Sequence, residues 1–237
     1  MTAAIAIIAA GAAGCGDDST GPGDEDDPDY TPQIPTSWAS AVTNSFFPLT
    51  PGTTYEFEGE TDEGLETTTV EVLSDVKTVN GVSATVVRDR VYLDGELIED
   101  THDWYAQDSA GNVWYLGEDS KEIEDGEVVD TEGSWEWGVD GALPGIIMWA
   151  DPAAHRNEEY RQEFYEDEAE DWGKVVGTGK TITVPIGTFD GCVQTEDWNG
   201  LESGGREIKT YAPGVGVVHE AHAGGEEAVE LVEITPP

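Results

Sequence analysis

Three Asn-Gly or Asp-Gly dipeptides constrain the fold of this chain more than any other feature. They are Asn80-Gly81, Asp94-Gly95 and Asp125-Gly126, and each lies between runs rich in β-branched and aromatic residues. Asn and Asp tolerate a positive φ and Gly has no Cβ, so these pairs suit the type I′ turn, whose twist matches that of a β-hairpin. Three such turns in one short stretch predict a meander of antiparallel strands.

Strand-like runs continue through the rest of the chain, and long helical periodicity is almost absent. The later predicted strands are Glu159–Tyr165, Trp172–Gly177, Lys180–Pro185, Cys192–Trp198, Glu207–Tyr211, Val215–Ala221 and Ala228–Ile234. This pattern predicts an all-β fold, either a single antiparallel β-barrel or a strongly curved sheet built from a hairpin meander. The segment 151–171 permits at most one short helix, although its alternation suits a strand equally well. We assign residues 38–237 to a single β domain.

A further hairpin, closed by a loop at Asp108–Gly111, is predicted to carry aromatic residues on both faces. In the expected register Tyr105 faces Trp114 and Trp104 faces Tyr115. Such cross-strand aromatic pairs stabilise a sheet by roughly 0.2–1 kcal/mol each. One face of this hairpin is therefore expected to pack in a core.

Aromatic residues on the other face could line a groove for an apolar or sugar-like ligand. Trp135 and Trp137 are predicted to share one face of the next strand. Arg161, one of ten basic residues, either pairs with neighbouring acids or binds an acidic ligand group through its two-pronged guanidinium. The candidate ligand-binding residues are Trp104, Tyr105, Trp114, Tyr115, Trp135, Trp137 and Arg161.

The first residues of the sequence predict a location outside the cytoplasm. Residues 1–14 are small and apolar, too short a run to span a bilayer, and resemble the remnant of a signal peptide. The sequence AAGC ending at Cys15 resembles a bacterial lipobox, which implies lipidation of Cys15, although no basic residue precedes it. Residues 15–37 are then the lipidated Cys and an acidic disordered tether. Because Gly16 follows the cysteine, the outer membrane is the expected site in a cell with two membranes.

The charge of the chain excludes several classes of partner. It has 51 Asp and Glu against 10 Lys and Arg, a formal net charge of −41 at pH 7. Without a basic patch, the chain is not expected to bind nucleic acid, or an anionic membrane surface through its own charge. Seven acids lie in the tether, which leaves 44 acids and 10 bases, or 44 − 10 = 34 net negative charges, in the domain.

We interpret this acidic surface as an adaptation to a salty or cation-rich exterior, with divalent cations as candidate partners. Melting temperature is expected to rise with NaCl concentration, because salt screens repulsion between surface carboxylates. Thermal unfolding over a series of NaCl concentrations at constant pH measures the effect. A melting temperature that stays level from low to high salt would contradict this interpretation.

Motifs for catalysis are absent from the sequence. There is no G-x-S-x-G elbow, no H-E-x-x-H, no Gly-rich phosphate loop and no dinucleotide fingerprint. Two acidic groups could instead serve a carboxylate-dependent hydrolase that acts on an envelope or extracellular polymer. They are Glu136, between two tryptophans, and the acids of segment 163–171. We favour a noncatalytic domain that binds a small or polymeric ligand or serves the cell envelope structurally, with the hydrolase as the alternative.

Histidines do not predict a metal site. His102 and Asp100 share a strand face but would supply only half of the ligands. His219 and His222 are three residues apart, so a strand would point them to opposite faces. The sequence therefore assigns no metal ligand and no cofactor.

Several motifs together resemble those of a group of secreted or lipid-anchored bacterial β-domain lipoproteins. The matching stretches are FFPLTPGTTYEFEG (46–59), DWYAQDSAGNVWYLGE (103–118), PGIIMWADP (144–152), YRQEFYEDEAED (160–171), VPIGTFDGCVQTEDW (184–198) and YAPGVGVV (211–218). The resemblance implies a secreted all-β domain with these stretches as its framework. It implies no particular activity.

Overall fold

The structure, a computed structural model, describes residues 30–201, 205–225 and 227–237. The predicted signal-peptide remnant and Cys15 lie outside the described residues. The strands are β1 Thr43–Asn44, β2 Phe47–Pro48, β3 Thr54–Thr61, β4 Gly64–Val79, β5 Val82–Leu93, β6 Glu96–Gln107, β7 Val113–Asp119, β8 Glu122–Glu124, β9 Glu127–Asp130, β10 Trp135–Glu136, β11 Leu143–Met148, β12 Glu159–Arg161, β13 Glu163–Phe164, β14 Asp171–Val184, β15 Gly187–Asn199, β16 Glu207–Ala212, β17 Gly216–His222 and β18 Ala228–Thr235. A single 3-10 helical turn, Pro152–His155, lies between β11 and β12. The prediction of an all-β fold with at most one short helix is confirmed.

The three predicted dipeptide turns are confirmed. Asn80, Asp94 and Asp125 have φ values of 44°, 51° and 53°, and the glycine after each also has a positive φ. They join β4 to β5, β5 to β6 and β8 to β9, with the residues on either side of each turn directly paired. Local backbone preference therefore determines these hairpins.

The main sheet curls into a nearly closed antiparallel barrel. Its order is β12-β14-β15-β16-β17-β18-β3-β4-β5-β6-β7-β11-β13. The two ends of this order, β12 and β13, are separated along the chain only by Gln162, so one short stretch pairs with β14 on one side and with β11 on the other. At Gly145 in β11 an added Cβ would overlap the backbone carbonyl of Arg161, so this approach of the strands needs glycine.

The predicted register of the aromatic hairpin is wrong by one residue. Tyr105 pairs with Tyr115, and Ala106 pairs with Trp114. The carboxylate of Asp108 accepts hydrogen bonds from the backbone N–H groups of Ala110 (2.8 Å) and Asn112 (3.0 Å), which lengthens the loop. Tyr105 and Tyr115 consequently share a face, where their rings stack with centroids 5.1 Å apart.

Trp135 and Trp137 also differ from the prediction. Strand β10 ends at Glu136, and the chain turns directly afterwards. Trp135 packs edge-on against Tyr115 at 5.3 Å, whereas Trp137 packs against Trp38 at 6.3 Å. The two indoles therefore do not share one face of a strand.

Two further segments differ from their predicted limits. The predicted strands at 172–177 and 180–185 are parts of one long strand, β14. Residues 30–37, which the sequence placed in the tether, lie against the barrel, where Tyr30 donates a hydrogen bond to the carbonyl of Pro144 (3.0 Å) and packs on Phe164. Among the described residues, no helix is long and apolar enough to cross a membrane.

The barrel interior is apolar near the N-terminal hairpin of β1 and β2. Phe47 contacts Tyr105 of β6 at 5.1 Å and Tyr211 of β16 at 6.4 Å, although these strands are far apart in the sheet order. The ring of Phe47 thus lies between opposite walls of the barrel. Toward the other end, the inward positions of the same strands are acidic, as in Asp103 and Glu207.

Candidate functional site

Nine carboxyl groups are buried together inside the barrel, and we call them the acid cluster. Among the described residues they are Glu66, Asp89, Asp103, Glu118, Glu163, Asp171, Asp197, Glu207 and Glu220. They lie on strands from β4 to β7 and from β13 to β17. Burial, and then repulsion from another member, raises the pKa values of Glu66, Asp89, Glu118, Glu163, Asp197 and Glu220. Side chains from such distant strands interact because the curved sheet directs them into one interior.

One ammonium group lies among these carboxylates. The Nζ atom of Lys209 is 3.8 Å from Asp197 Oδ2, 3.9 Å from Glu207 Oε2 and 3.8 Å from Glu220 Oε1, with the lysine side chain only 3% exposed. Burial acts to lower the pKa of Lys209, but Glu220, Asp197 and Glu207 raise it well above the ordinary value. The lysine is therefore held in its charged form.

Burial raises the pKa values of seven of the cluster's nine carboxyls. Burial and then repulsion from Glu207 raise the pKa of Glu66 to about 8. Burial also raises the pKa of Asp103 to about 7, although Tyr115 donates a hydrogen bond of 2.7 Å to its carboxylate. Burial is likewise the leading cause of the raised pKa values of Asp89, Glu99, Glu118, Glu163, Asp197 and Glu220. A charged carboxylate loses its hydration in such an interior, which favours the neutral acid.

Asp89 differs from the carboxyls that have protein donors. Glu163, for example, accepts a hydrogen bond of 2.5 Å from the indole of Trp135. Asp89 is 2% exposed, and neither of its carboxyl oxygens has a hydrogen-bond partner among the described residues. Buried polar groups are normally satisfied, so such a residue points to a ligand, a water molecule or a bound proton.

A second feature, the aromatic cleft, opens on the outside of the barrel. Its volume is about 640 Å³, and it lies between the N-terminal stretch 30–37 and a wall that contains Trp114, Trp149, Tyr160 and Trp172. Asp108, Asn112 and Glu159 supply polar groups to the same lining. A volume of this order is typical of small-molecule sites, which combine aromatic walls with a few polar groups.

The rings of the cleft are held by specific contacts. The indole N–H of Trp114 donates to Asp108 (3.0 Å), and Trp149 stacks on His155 with centroids 3.8 Å apart. Burial acts to raise the pKa of Asp108, but the hydrogen bonds that it accepts from Trp114 and its own loop lower it overall. The carboxylate therefore stays charged and keeps Trp114 in place.

Arg161 and Trp172 belong to a cation–π ladder beside the cleft. The guanidinium of Arg161 lies 4.1 Å from the Trp172 ring, Trp172 is parallel to Trp198 at 6.1 Å, and Arg206 lies 4.2 Å from the other side of Trp198. Arg161 also donates hydrogen bonds to the carbonyl (3.0 Å) and carboxylate (3.2 Å) of Glu170. Of its two predicted roles, the structure places this arginine in the pairing with a neighbouring acid.

The structure separates the predicted ligand-binding residues into three places. Trp114 and Arg161 line the cleft. Tyr105, Tyr115 and Trp135 lie in the interior near the acid cluster. The remaining two lie elsewhere. The Nζ atom of Lys77 lies 3.2 Å from the centroid of the Trp104 ring, and Trp137 packs on Trp38.

The sequence analysis named Glu163 and Asp171 as candidate acids but did not predict the rest of the acid cluster, and it missed four aromatic residues of the cleft. The missed cleft residues come from separate parts of the chain and meet only in the folded barrel: Tyr30, Trp149, Tyr160 and Trp172. One member of the acid cluster was predictable from side-chain alternation in its strand. In β4, Glu66 occupies the same alternating face as buried Val70 and Val72, and a period of two places all three inside.

The histidine and carboxylate pairs considered for metals do not form a site. Asp100 is held by two hydrogen bonds of 2.7 Å from Arg88, and this contact, despite burial, lowers its pKa. Among the residues that the structure describes, no three His, Cys, Asp or Glu side chains converge closely enough to hold a metal ion.

Comparison with known proteins yields two weak structural likenesses. No family model matches the sequence, and no curated protein gives a significant match. A crystal structure of a proposed lipoprotein from Parabacteroides distasonis is similar at 13% identity and a TM-score of 0.43, over 81% of this chain and 99% of that chain. A proposed exported protein with YmcC-like fold from Bacteroides fragilis is similar at 16% identity and a TM-score of 0.47, over 81% and 100%. Neither likeness is strong enough to indicate a function.

Proposed function

We propose that this chain is an extracytoplasmic bacterial lipoprotein, anchored to the cell envelope through Cys15, whose β domain binds a neutral glycan in the aromatic cleft. The observation that carries the binding proposal is the cleft itself, with five aromatic residues and interspersed polar groups around about 640 Å³. Sugar rings present apolar C–H faces that pack on aromatic rings, and hydroxyls that need hydrogen-bond partners. An aromatic wall with polar groups matches both needs.

Two unpartnered donors favour a ligand that is rich in oxygen. The indole N–H of Trp149 and the hydroxyl of Tyr160 are buried, and neither has a hydrogen-bond partner among the described residues. Both residues belong to the cleft wall. Hydroxyl or ether oxygens of a ligand would satisfy these donors.

Charge favours a neutral ligand over an anionic one. Arg161, the basic residue in the cleft lining, already pairs with Glu170. Asp108 and Glu159 add negative charge to the same wall, on a chain with a net charge of −41. An anionic polymer would be repelled by this field.

Replacing Trp149 with Ala is expected to weaken glycan binding at least roughly tenfold, or ~1.4 kcal/mol. The substitution removes both a ring of the wall and a free donor. Titration calorimetry with a panel of neutral oligosaccharides measures the effect, and Tyr92→Ala, a half-buried ring away from the cleft, serves as the matched control. The proposal is wrong if the wild-type protein binds no neutral oligosaccharide, or if W149A binds as tightly as Tyr92→Ala.

Replacing Cys15 with Ser is expected to abolish lipid attachment and leave the precursor unprocessed, because the serine hydroxyl cannot form the thioether. Labelling of growing cells with radioactive palmitate, with and without globomycin, measures both effects. Cys192→Ser is the control, since Cys192 is buried in the β domain and should not affect labelling. Normal processing of C15S would exclude the anchor while leaving the cleft proposal untouched.

The alternative, a carboxylate-dependent hydrolase, has one observation in its favour. Asp103 and Glu118 lie directly opposite each other on β6 and β7, and burial raises the pKa of each. Perturbed carboxyl pairs of this kind are common in active sites. Their exposures are 0% and 5%, however, so a polymer would reach them only if the barrel opened, and we therefore favour binding at the cleft.

A further inference from the structure

The acid cluster has no role in glycan binding at the cleft, and its charge is unbalanced. Among the described residues, the nine carboxyls of the cluster have one buried ammonium beside them, that of Lys209, because the other buried basic side chain, Arg161, pairs with Glu170 beside the cleft. We propose that the acid cluster is a second binding site, which takes an organic cation with a primary ammonium group beside Asp89.

The chain itself shows that this interior accommodates an ammonium group. Lys209 projects from β16 to a position 3.8–3.9 Å from three carboxylates. Its ammonium thus supplies a positive charge to one side of the cluster, formed by Asp197, Glu207 and Glu220. An ammonium has three donors and no acceptor, which suits a surrounding of carboxylate oxygens.

The other side of the cluster has the acceptors but no comparable cation. Both oxygens of Asp89 are without a partner among the described residues, as are Oε1 of Glu66 and Oδ2 of Asp103. These residues lie on the adjacent strands β5, β4 and β6. The charged groups that act on Asp89 are Asp103 and Glu99 of β6, Glu66 of β4, and Lys209 of β16. Their sum is strongly negative around an almost fully buried carboxyl.

An ammonium fits this side better than a metal ion does. A calcium or magnesium ion needs several oxygens converging at little more than 2 Å, and no three side-chain ligands converge in this way among the described residues. Tyr105 and Tyr211, each two residues along its strand from Asp103 and Lys209, border the acids, and the ring of Phe47 packs against both. A sheet of more than about eight strands also encloses more space than side chains fill when it closes.

Binding is coupled to proton release. Burial raises the pKa values of Asp89, Asp103 and Glu66, so these groups bind protons more tightly than ordinary carboxyls do when no cation is present. A bound ammonium favours the carboxylate form. Each carboxyl that ionises on binding breaks its O–H bond and gives the proton to the solvent, and no other covalent bond changes.

Titration calorimetry of the protein with cadaverine at about pH 7.5 tests the site. In two buffers of different ionisation enthalpy, the observed heats should differ in the direction of proton release. Asp89→Asn should weaken cadaverine binding at least tenfold, whereas Asp130→Asn, an exposed acid on β9, should have no effect. Because Asn is isosteric and uncharged, D89N should unfold at the same temperature as the wild type or higher.

Several outcomes would overturn the proposal. They are the absence of cadaverine binding, equal binding by D89N and wild type, and binding without proton release. Equal stabilisation by 1,5-pentanediol, or by NaCl or MgCl₂ at matched ionic strength, would also overturn it, because these probes lack the ammonium group. Glu66→Gln provides a second test at the same position of the barrel if D89N does not fold. Glycan binding at the cleft should be unchanged in either variant, so the two proposals fail independently.

Discussion

Raising the pH from about 5 to about 9 is expected to lower the free energy of unfolding of this protein by several kcal/mol. Asp103 and Glu66 have pKa values of about 7 and about 8 in the folded state, mainly because of burial. In the unfolded chain both return to ordinary values near 4. The folded state therefore binds protons more tightly than the unfolded state over this pH interval.

Because the folded state binds protons more tightly than the unfolded state, the free energy of unfolding falls as the pH rises. Protonation of these carboxyls contributes its full stability below about pH 4, and the contribution is lost as the pH rises through about 7 and then about 8. Each unit of pKa difference corresponds to about 1.4 kcal/mol. Asp100 and Asp108 act in the opposite direction, since their lowered pKa values cost stability only below about pH 4. The maximum of stability should thus lie on the acid side of neutrality.

Urea unfolding at constant ionic strength, followed by tryptophan fluorescence from pH 4 to pH 9, measures this slope. The variant Asp103→Asn should flatten it, because the amide keeps the acceptor for Tyr115 but does not titrate. A free energy of unfolding that rises or stays constant between pH 5 and pH 9 would show that the acid cluster is not held protonated.

Replacing Lys209 with Met is expected to destabilise the protein by about 3–5 kcal/mol near pH 8. Removal of one partner from a buried ionic group leaves the remaining charges uncompensated. The loss should be smaller near pH 5, where more of the surrounding carboxyls are neutral. Urea unfolding at both pH values measures the difference.

Lys121→Met is the matched control. Lys121 forms a more exposed pair with Asp119 (2.6 Å), and such surface pairs contribute at most about 1 kcal/mol. If K209M loses no more stability than K121M, or loses the same amount at pH 5 and pH 8, Lys209 does not stabilise the carboxylates around it.

The hairpins were predictable because their cause is local. Asn80, Asp94 and Asp125 each precede a glycine, and a positive φ at both positions is a property of those residues and not of the rest of the fold. The alternation of β-branched residues around them identifies the strands for the same reason.

The aromatic hairpin was not predictable at the level of single pairs. Its register depends on the carboxylate of Asp108, which accepts three hydrogen bonds from Ala110 and Asn112 of the loop and one from Trp114. A one-residue change in loop length moves every later side chain to another partner. Tyr105 therefore meets Tyr115 and not Trp114.

The cleft depends on contacts that are remote in sequence. Trp114 comes from β7, Trp149 follows β11, and Trp172 begins β14. They meet because the stretch 159–164 pairs with strands at both ends of the sheet. Their separation along the sequence gives no indication that these three tryptophans lie close together in space.

The sequence by itself determined that this chain forms antiparallel strands with three tight turns, because backbone preference and side-chain alternation act between neighbours. It also determined an excess of acids. Only the tertiary structure decided which of those acids are solvated and which are buried, because curvature of the sheet brings Asp89 of β5 and Lys209 of β16 into one interior. Desolvation and Coulomb repulsion depend on distance in space, so the same residue type is an ordinary surface charge at Asp130 and a proton-holding group at Asp103.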